Sequence, residues 1–412
     1  MNGEMFYKIK YKDIMLFILF LILTVIAIVV QSGIFSFLVA IIQLCMVVIK
    51  ARFSFFSFFA VLLNYCLLEN FLEYSGISTY GILSLGSVDI YFYELCYCCY
   101  MLNFILFIIS YFTNTLLNEK KIYLMKINIS KNTVNIISIM AVVITIMIFP
   151  SLPHFDMENR FNTGILPFTG WSCIPFFFLA VGILSKRQKP LVYICSSFVI
   201  SWYITHGERV DVMGLVIYLM LFYFNSKERN IKQIVRVFVV IFIFLMLLIY
   251  IGGIRDGNFL SLQDVFIKLL IQPTACDVTN VFNVSVDNLY SNNSFRGLTY
   301  LSYLVNCIPG LDDPYSFQVM IGNRYRSAGG GIFFAEPVAN YGFIFCGFVC
   351  IIYFCLVAWL IKKHRKYECF VYIELCLSIF RSAWYGLNYP IVTILYFVPF
   401  VLVLDRIMRG KF

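Results

Sequence analysis

The chain has 412 residues, of which 61% are hydrophobic and only 13% charged, with a formal net charge of +9 and a mean hydropathy of +0.86. A soluble domain is about 45–50% apolar and about 25% charged, and surface falls too slowly with chain length for a water-soluble core to hide this much apolar side chain. The composition excludes a soluble enzyme, a coiled coil, a disordered regulator and a nucleic-acid-binding domain; it leaves an all-α polytopic membrane protein.

A membrane helix needs roughly 20 mostly apolar residues. Twelve runs meet or approach that length: 14–31, 34–49, 53–68, 90–112, 134–150, 169–185, 190–206, 211–225, 235–251, 337–361, 368–387 and 391–405. The first run has no small-residue cleavage site and reads as an uncleaved span. Lysine and arginine set the orientation. With a cytoplasmic N-terminus every second junction is basic, from Lys8, Lys10 and Lys12 to Arg406, Arg409 and Lys411, and 23 of the 31 basic residues fall inside. Both termini are then cytoplasmic. The organisation predicted is nine membrane helices over 1–251, one large external loop over 252–336, and three membrane helices over 337–412.

The long loop carries helical signals. Ser261-Leu-Gln-Asp264 has the pattern of a capping box, followed by Val265, Phe266, Leu269 and Leu270 on one face. Leu298, Leu301, Tyr303, Leu304 and Val305 predict a second amphipathic helix ended by Pro309-Gly310. Both are expected to lie along the membrane surface as short interfacial helices. Of the 14 cysteines, most lie in apolar runs, as Cys96, Cys98 and Cys99 do, where a thiol behaves as a small hydrophobe. Only Cys276 and Cys307 lie in the long loop, and their spacing leaves a disulfide open.

Eight basic residues do not serve orientation: Arg160, Arg209, Arg255, Lys268, Arg296, Arg324, Arg326 and Arg381. Inside, lysine outnumbers arginine 16 to 7; outside, arginine outnumbers lysine 7 to 1. Either residue supplies positive charge, but only arginine offers a rigid fork for phosphate. Pairing with the outer carboxylates is the alternative account. The cluster His206-Gly-Glu208-Arg209-Val-Asp211 sits in a turn almost too short to exist, although charge at bilayer depth costs about 2.5–3.5 kcal/mol per residue. It is either a site or a local ion-pair knot. Arg381, in the eleventh span beside Trp384 and Tyr385, is either functional or snorkels to the headgroups. His154-Phe-Asp156-Met-Glu158-Asn-Arg160 reads as a further contributor or a solvated loop. The long loop ends in Arg324-Tyr-Arg326-Ser-Ala-Gly-Gly-Gly331 and then Glu336 at the start of a span, where glycines allow close backbone approach and free N–H groups attract anions.

Together these segments resemble the bacterial O-antigen polymerases (Wzy), part of a broader group that includes the O-antigen ligases. The resemblance is carried by Gly207-Glu-Arg209-Val-Asp211, Ile308-Pro309, Gly329-Gly-Gly331 and Ala335-Glu336-Pro-Val-Ala-Asn340-Tyr-Gly342, with a departure from the family pattern at Pro337. It implies a glycosyltransferase on the periplasmic face of the inner membrane. Its donor and acceptor would both be undecaprenyl-diphosphate-linked oligosaccharides, and a separate chain-length regulator would be a partner. On that reading Arg209, Arg255, Arg324 and Arg326 hold diphosphate, with Arg296 and Arg381 as second choices. Glu336 is the base; Asp156 and Glu208 are reserves, and His154 or His206 a substitute. The first external turn, at Ser32-Gly33, has no carboxylate, and Asp312-Asp313 before Pro314 reads as a turn, so neither metal nor cofactor is expected. A lipid-linked oligosaccharide flippase and an O-antigen ligase are the competing readings.

Overall fold

The computed structural model describes residues 11–77, 90–113, 127–152, 166, 170–185, 190–226, 230–255, 259–308, 311, 313–325, 330–363 and 365–410. Among them the fold is helical throughout, apart from an isolated bridge between Ile127 and Ser185. The helices are α1 (Tyr11–Val30), α2 (Gly33–Ala51), α3 (Phe55–Tyr74), α4 (Phe92–Thr113), α5 (Lys131–Ile148), α6 (Ile174–Leu184), α7 (Pro190–Thr205), α8 (Arg209–Ser226) and α9 (Ile231–Arg255). They continue as α10 (Leu262–Leu270), α11 (Pro273–Tyr290), α12 (Leu298–Val305), α13 (Phe317–Tyr325), α14 (Ala335–Lys362), α15 (Lys366–Leu377), α16 (Ile379–Trp384), α17 (Tyr389–Val392), a π-helical turn over Thr393–Phe397, and α18 (Val398–Met408).

By length and composition, nine helical stretches among the described residues can cross a membrane, which makes this a multi-pass helical membrane protein. Eight of them fall on runs picked out by hydropathy; α6, α7 and the apolar part of α1, Ile14–Val30, are shorter. The eleventh run is not one helix. It divides into α15 and α16 at Ser378.

The ninth stretch, Leu262–Tyr290, lies in the segment expected to be an external loop. The capping box at its start forms: Ser261 and Asp264 exchange side-chain and backbone hydrogen bonds, and Val265 is the buried residue of α10. Phe266 packs on Phe242 midway along α9, with ring centroids 5.8 Å apart. The chain then turns at Ile271-Gln272 against α3. There Tyr65 Oη donates to the Leu269 carbonyl (3.0 Å), and Glu69 Oε1 accepts the Gln272 N–H (3.0 Å). Helix α11 returns through the bundle between α3 and α14 rather than along its surface, with Phe282, Thr279, Ser285 and Asn288 fully buried. Its polar residues are tolerated there because they are partnered: Thr279 and Ser285 hydroxyls bond carbonyls one turn back, and Asn70 Nδ2 donates to Asn283 Oδ1 (3.3 Å).

The end of this segment is also internal. Ile332 N–H donates to the Val278 carbonyl (3.2 Å) and Phe333 N–H to the Ala383 carbonyl (2.8 Å), so residues 330–334 thread between α11 and α16. A Cβ on Gly330 would fall 2.5 Å from the Tyr385 carbonyl oxygen, and one on Gly331 would fall 2.6 Å from Val281. These two glycines bring backbone to backbone; Gly329 lies outside the described residues. The helix that follows is broken at Gly342 (φ +80°), so Ala335–Tyr341 is a short arm set apart from the membrane-length helix after it.

Candidate functional site

Glu336 stands in the first turn of the short arm of α14 and is 5% exposed. Its Oε2 accepts a hydrogen bond from the Tyr303 hydroxyl, and its Oε1 is buried with no hydrogen bond of standard geometry, the Thr299 hydroxyl standing beside the carboxyl. Burial, and then the neighbouring carboxyl, push the Tyr303 phenol well above its ordinary range, which keeps it a neutral donor. Helix α12 holds Tyr303 in place through its own N-terminus. Asn340 Oδ1 accepts the Gly297 N–H (2.7 Å), and Asn340 Nδ2 donates to Thr299 Oγ1 (2.8 Å) and to the Glu336 carbonyl (2.8 Å). The Asn340 side chain therefore locks the Glu336-bearing arm to the Tyr303-bearing helix.

A cavity of about 280 Å³ opens beside this pair. Tyr303 and Glu336 form one wall, Ser316–Val319 at the start of α13 another, and Tyr385 with Asn388 a third. Gly386 (φ +127°) lets the chain turn there: a Cβ on it would lie 3.3 Å from Asn388 Oδ1 and 4.0 Å from Glu336 Oε2. Among the described residues that line the cavity there is no arginine, lysine or histidine.

On the other side of Tyr385 is an ion cluster. Arg381 Nε donates to Asp211 Oδ1 (3.0 Å) and Nη2 to Asp211 Oδ2 (2.7 Å), a bidentate pair, while Nη2 also reaches Glu208 Oε2 (3.2 Å). The side chains of Arg381 and Asp211 are 4% and 0% exposed, and that of Glu208 is 13% exposed. The guanidinium also lies 5.1 Å from the ring centroids of both Tyr385 and Tyr389. Tyr385 therefore touches both the cavity and the ion cluster. The short turn before α8 is thus an ion-pair knot, but its arginine is Arg381, enclosed rather than turned to the surface. Arg209 points elsewhere, its Nη1 donating to the Leu248 carbonyl on α9 (3.1 Å).

Arg255 ends α9, Arg324 lies in the last turn of α13, and Arg296 is exposed before α12 at φ +51°. His154, Asp156, Arg160, Arg326, Pro309, Gly310 and Asp312 lie outside the described residues. The ring nitrogens of His206 face the Trp202 (2.8 Å) and Ser151 (3.0 Å) carbonyls, and its ring stacks on Phe149, which leaves no nitrogen turned to the cavity. Cys276 is paired with Glu69 Oε2 (3.4 Å) and Cys307 with the Tyr303 carbonyl, both as free thiols. Sequence reasoning missed Tyr303 as the partner of Glu336 and Asn388 as a further polar residue at the cavity. It also missed Glu374 in α15, fully buried with neither carboxyl oxygen hydrogen-bonded. A carboxylate inside the apolar run 368–387 was the available signal.

Compared with known proteins, the chain matches no family model, no curated protein and no solved structure.

Proposed function

We propose that the chain is a metal-independent integral-membrane glycosyltransferase that polymerises undecaprenyl-diphosphate-linked oligosaccharide repeat units, an O-antigen polymerase working at the periplasmic face of the inner membrane. One observation carries this reading. The Glu336 carboxyl is buried and fixed through one oxygen by Tyr303, while its other oxygen makes no hydrogen bond of standard geometry beside a polar cavity of about 280 Å³. A general base must be held within hydrogen-bond reach of the proton it takes, and this carboxyl is both oriented and available. In the proposed reaction an acceptor sugar hydroxyl attacks the anomeric carbon of the donor. Glu336 takes the hydroxyl proton as the new C–O bond forms. The old bond to the diphosphate breaks, and its electron pair leaves with the lipid diphosphate. That departing charge needs preorganised cations. Arg381 is already matched by two carboxylates, so the diphosphates fall to Arg209, Arg255, Arg296, Arg324 and Arg326.

A second reading, a lipid-linked oligosaccharide flippase, is favoured by a specific set of features. Breaks at Gly342 and Ser378, the π-helical turn at Thr393–Phe397 and the buried Glu374 are what transporters with discontinuous helices use. The lipopolysaccharide pattern of a deletion strain separates the two. A single band of core plus one repeat unit supports the polymerase. Complete loss of O-antigen supports the flippase, or the O-antigen ligase, and accumulated lipid-linked intermediates then distinguish those. An unchanged ladder would sink all three.

A further inference from the structure

The cavity beside Glu336 has an imbalance in its hydrogen bonding. Three of its side chains carry a buried oxygen with no hydrogen bond of standard geometry: Glu336 Oε1, Asn388 Oδ1 and Asp313 Oδ2. Each belongs to a group otherwise fixed in place. Glu336 is held by Tyr303, Asp313 Oδ1 accepts the Tyr315 N–H (3.1 Å), and Asn388 Oδ1 sits against the Gly386 turn. Buried acceptors left unmade are costly, so a native structure that keeps three around one space calls for donors from outside the chain. Among the described residues that line the cavity there is no cationic side chain and there are two carboxyls, Glu336 and Asp313, so that wall repels a phosphate or diphosphate and offers it no donor fork. Its volume corresponds to about nine waters at roughly 30 Å³ each, or one sugar ring of about a dozen non-hydrogen atoms. A bare cation would leave most of that space unfilled. Several hydroxyl donors on one small neutral body meet all of these conditions, and Tyr385 in the lining supplies an aromatic flank.

We infer that this cavity is a monosaccharide subsite in which Asn388 and Asp313 accept hydroxyl donors of the acceptor's terminal sugar and orient it toward Glu336, with the diphosphates bound elsewhere. The inference rests on the glycosyltransferase reading for the word acceptor, but the ligand class follows from the cavity alone. Asp313 and Asn388 are positioning and specificity residues in this assignment.

The test uses the purified full chain in detergent. Free glucose, galactose, mannose, rhamnose and N-acetylglucosamine are titrated one by one against thermal unfolding and tyrosine fluorescence, with inorganic pyrophosphate, sodium and calcium as counter-probes. At least one sugar binds saturably, and pyrophosphate does not displace it. D313N keeps the acceptor that holds the Tyr315 turn but converts the unpartnered oxygen into a donor. It weakens that sugar at least tenfold at an unchanged unfolding temperature, and so does N388L if it folds. Displacement by pyrophosphate, stabilisation by a cation alone, no binding by any sugar, or unaltered binding by D313N would each overturn the assignment. Elongation of lipid-linked repeat units is measured on the same preparation. Sugar binding without elongation refutes the polymerase and leaves the subsite standing; elongation with pyrophosphate competing for the sugar does the reverse.

Discussion

Removing Asp211 isolates one of the most enclosed charges in the molecule. The Arg381 side chain is 4% exposed and gives Asp211 two parallel hydrogen bonds, at 3.0 and 2.7 Å. Truncating one partner of a buried pair costs about 3–5 kcal/mol, because the other charge is left without compensation. Two features soften that cost here: Glu208 stays 3.2 Å from Nη2, and the rings of Tyr385 and Tyr389 each lie 5.1 Å from the guanidinium. D211A is therefore expected to destabilise the protein by about 3 kcal/mol, at the lower end of that range. E208A removes a single bond from a partly exposed carboxylate and should cost about 1 kcal/mol. The double variant D211L/R381M replaces the pair by apolar side chains and should recover most of the loss. Reversible unfolding of the purified protein in mixed detergent micelles, followed by circular dichroism, measures all three. The reasoning is refuted if D211A costs no more than E208A, or if the double variant is less stable than D211A.

Further perturbations test the packing around the site. A Cβ on Gly214 would lie 1.9 Å from the Leu377 carbonyl oxygen, so G214A should force α8 and α15 apart and lower the yield of folded protein on size exclusion. N340A removes acceptor and donor contacts to Gly297 and Thr299; a loss of about 1–3 kcal/mol in the same unfolding assay is expected. E69A leaves the start of α11 without the carboxylate that accepts the Gln272 N–H, and increased amide exchange at residues 272–276 should report it. R209K keeps charge but loses the fork. Normal polymerisation by R209K in cells, read from the lipopolysaccharide ladder, would remove Arg209 from the proposed diphosphate-binding set.

Hydropathy was enough to find helices such as α2, α3 and α9, whose sequences are apolar over a membrane length. It could not find α11. Asn280, Asn283, Ser285, Asp287 and Asn288 make that stretch look like loop, and only tertiary partners such as Asn70 render it buriable. The local signal that was present, Gln272 before Pro273, is a start signature: the Gln272 side chain accepts the Ala275 N–H at 2.8 Å. The capping box at Ser261 was legible because it depends on four consecutive residues. For the short turn before α8, sequence identified the charged residues but not their pairing, since Arg381 lies 170 positions from Asp211. Glycines 330 and 331 carry the same lesson. A glycine run announces close approach, but whether it approaches a ligand or, as here, Tyr385 and Val281 is decided by the fold.

The central claim is that Glu336 takes the acceptor proton. Its most direct test is elongation of a synthetic undecaprenyl-diphosphate-linked repeat unit by purified protein, comparing wild type with E336Q. The glutamine still accepts from Tyr303 through its carbonyl oxygen, so the variant should fold and keep its unfolding temperature while elongation falls by about 100-fold or more. Elongation by folded E336Q at the wild-type rate would contradict the account.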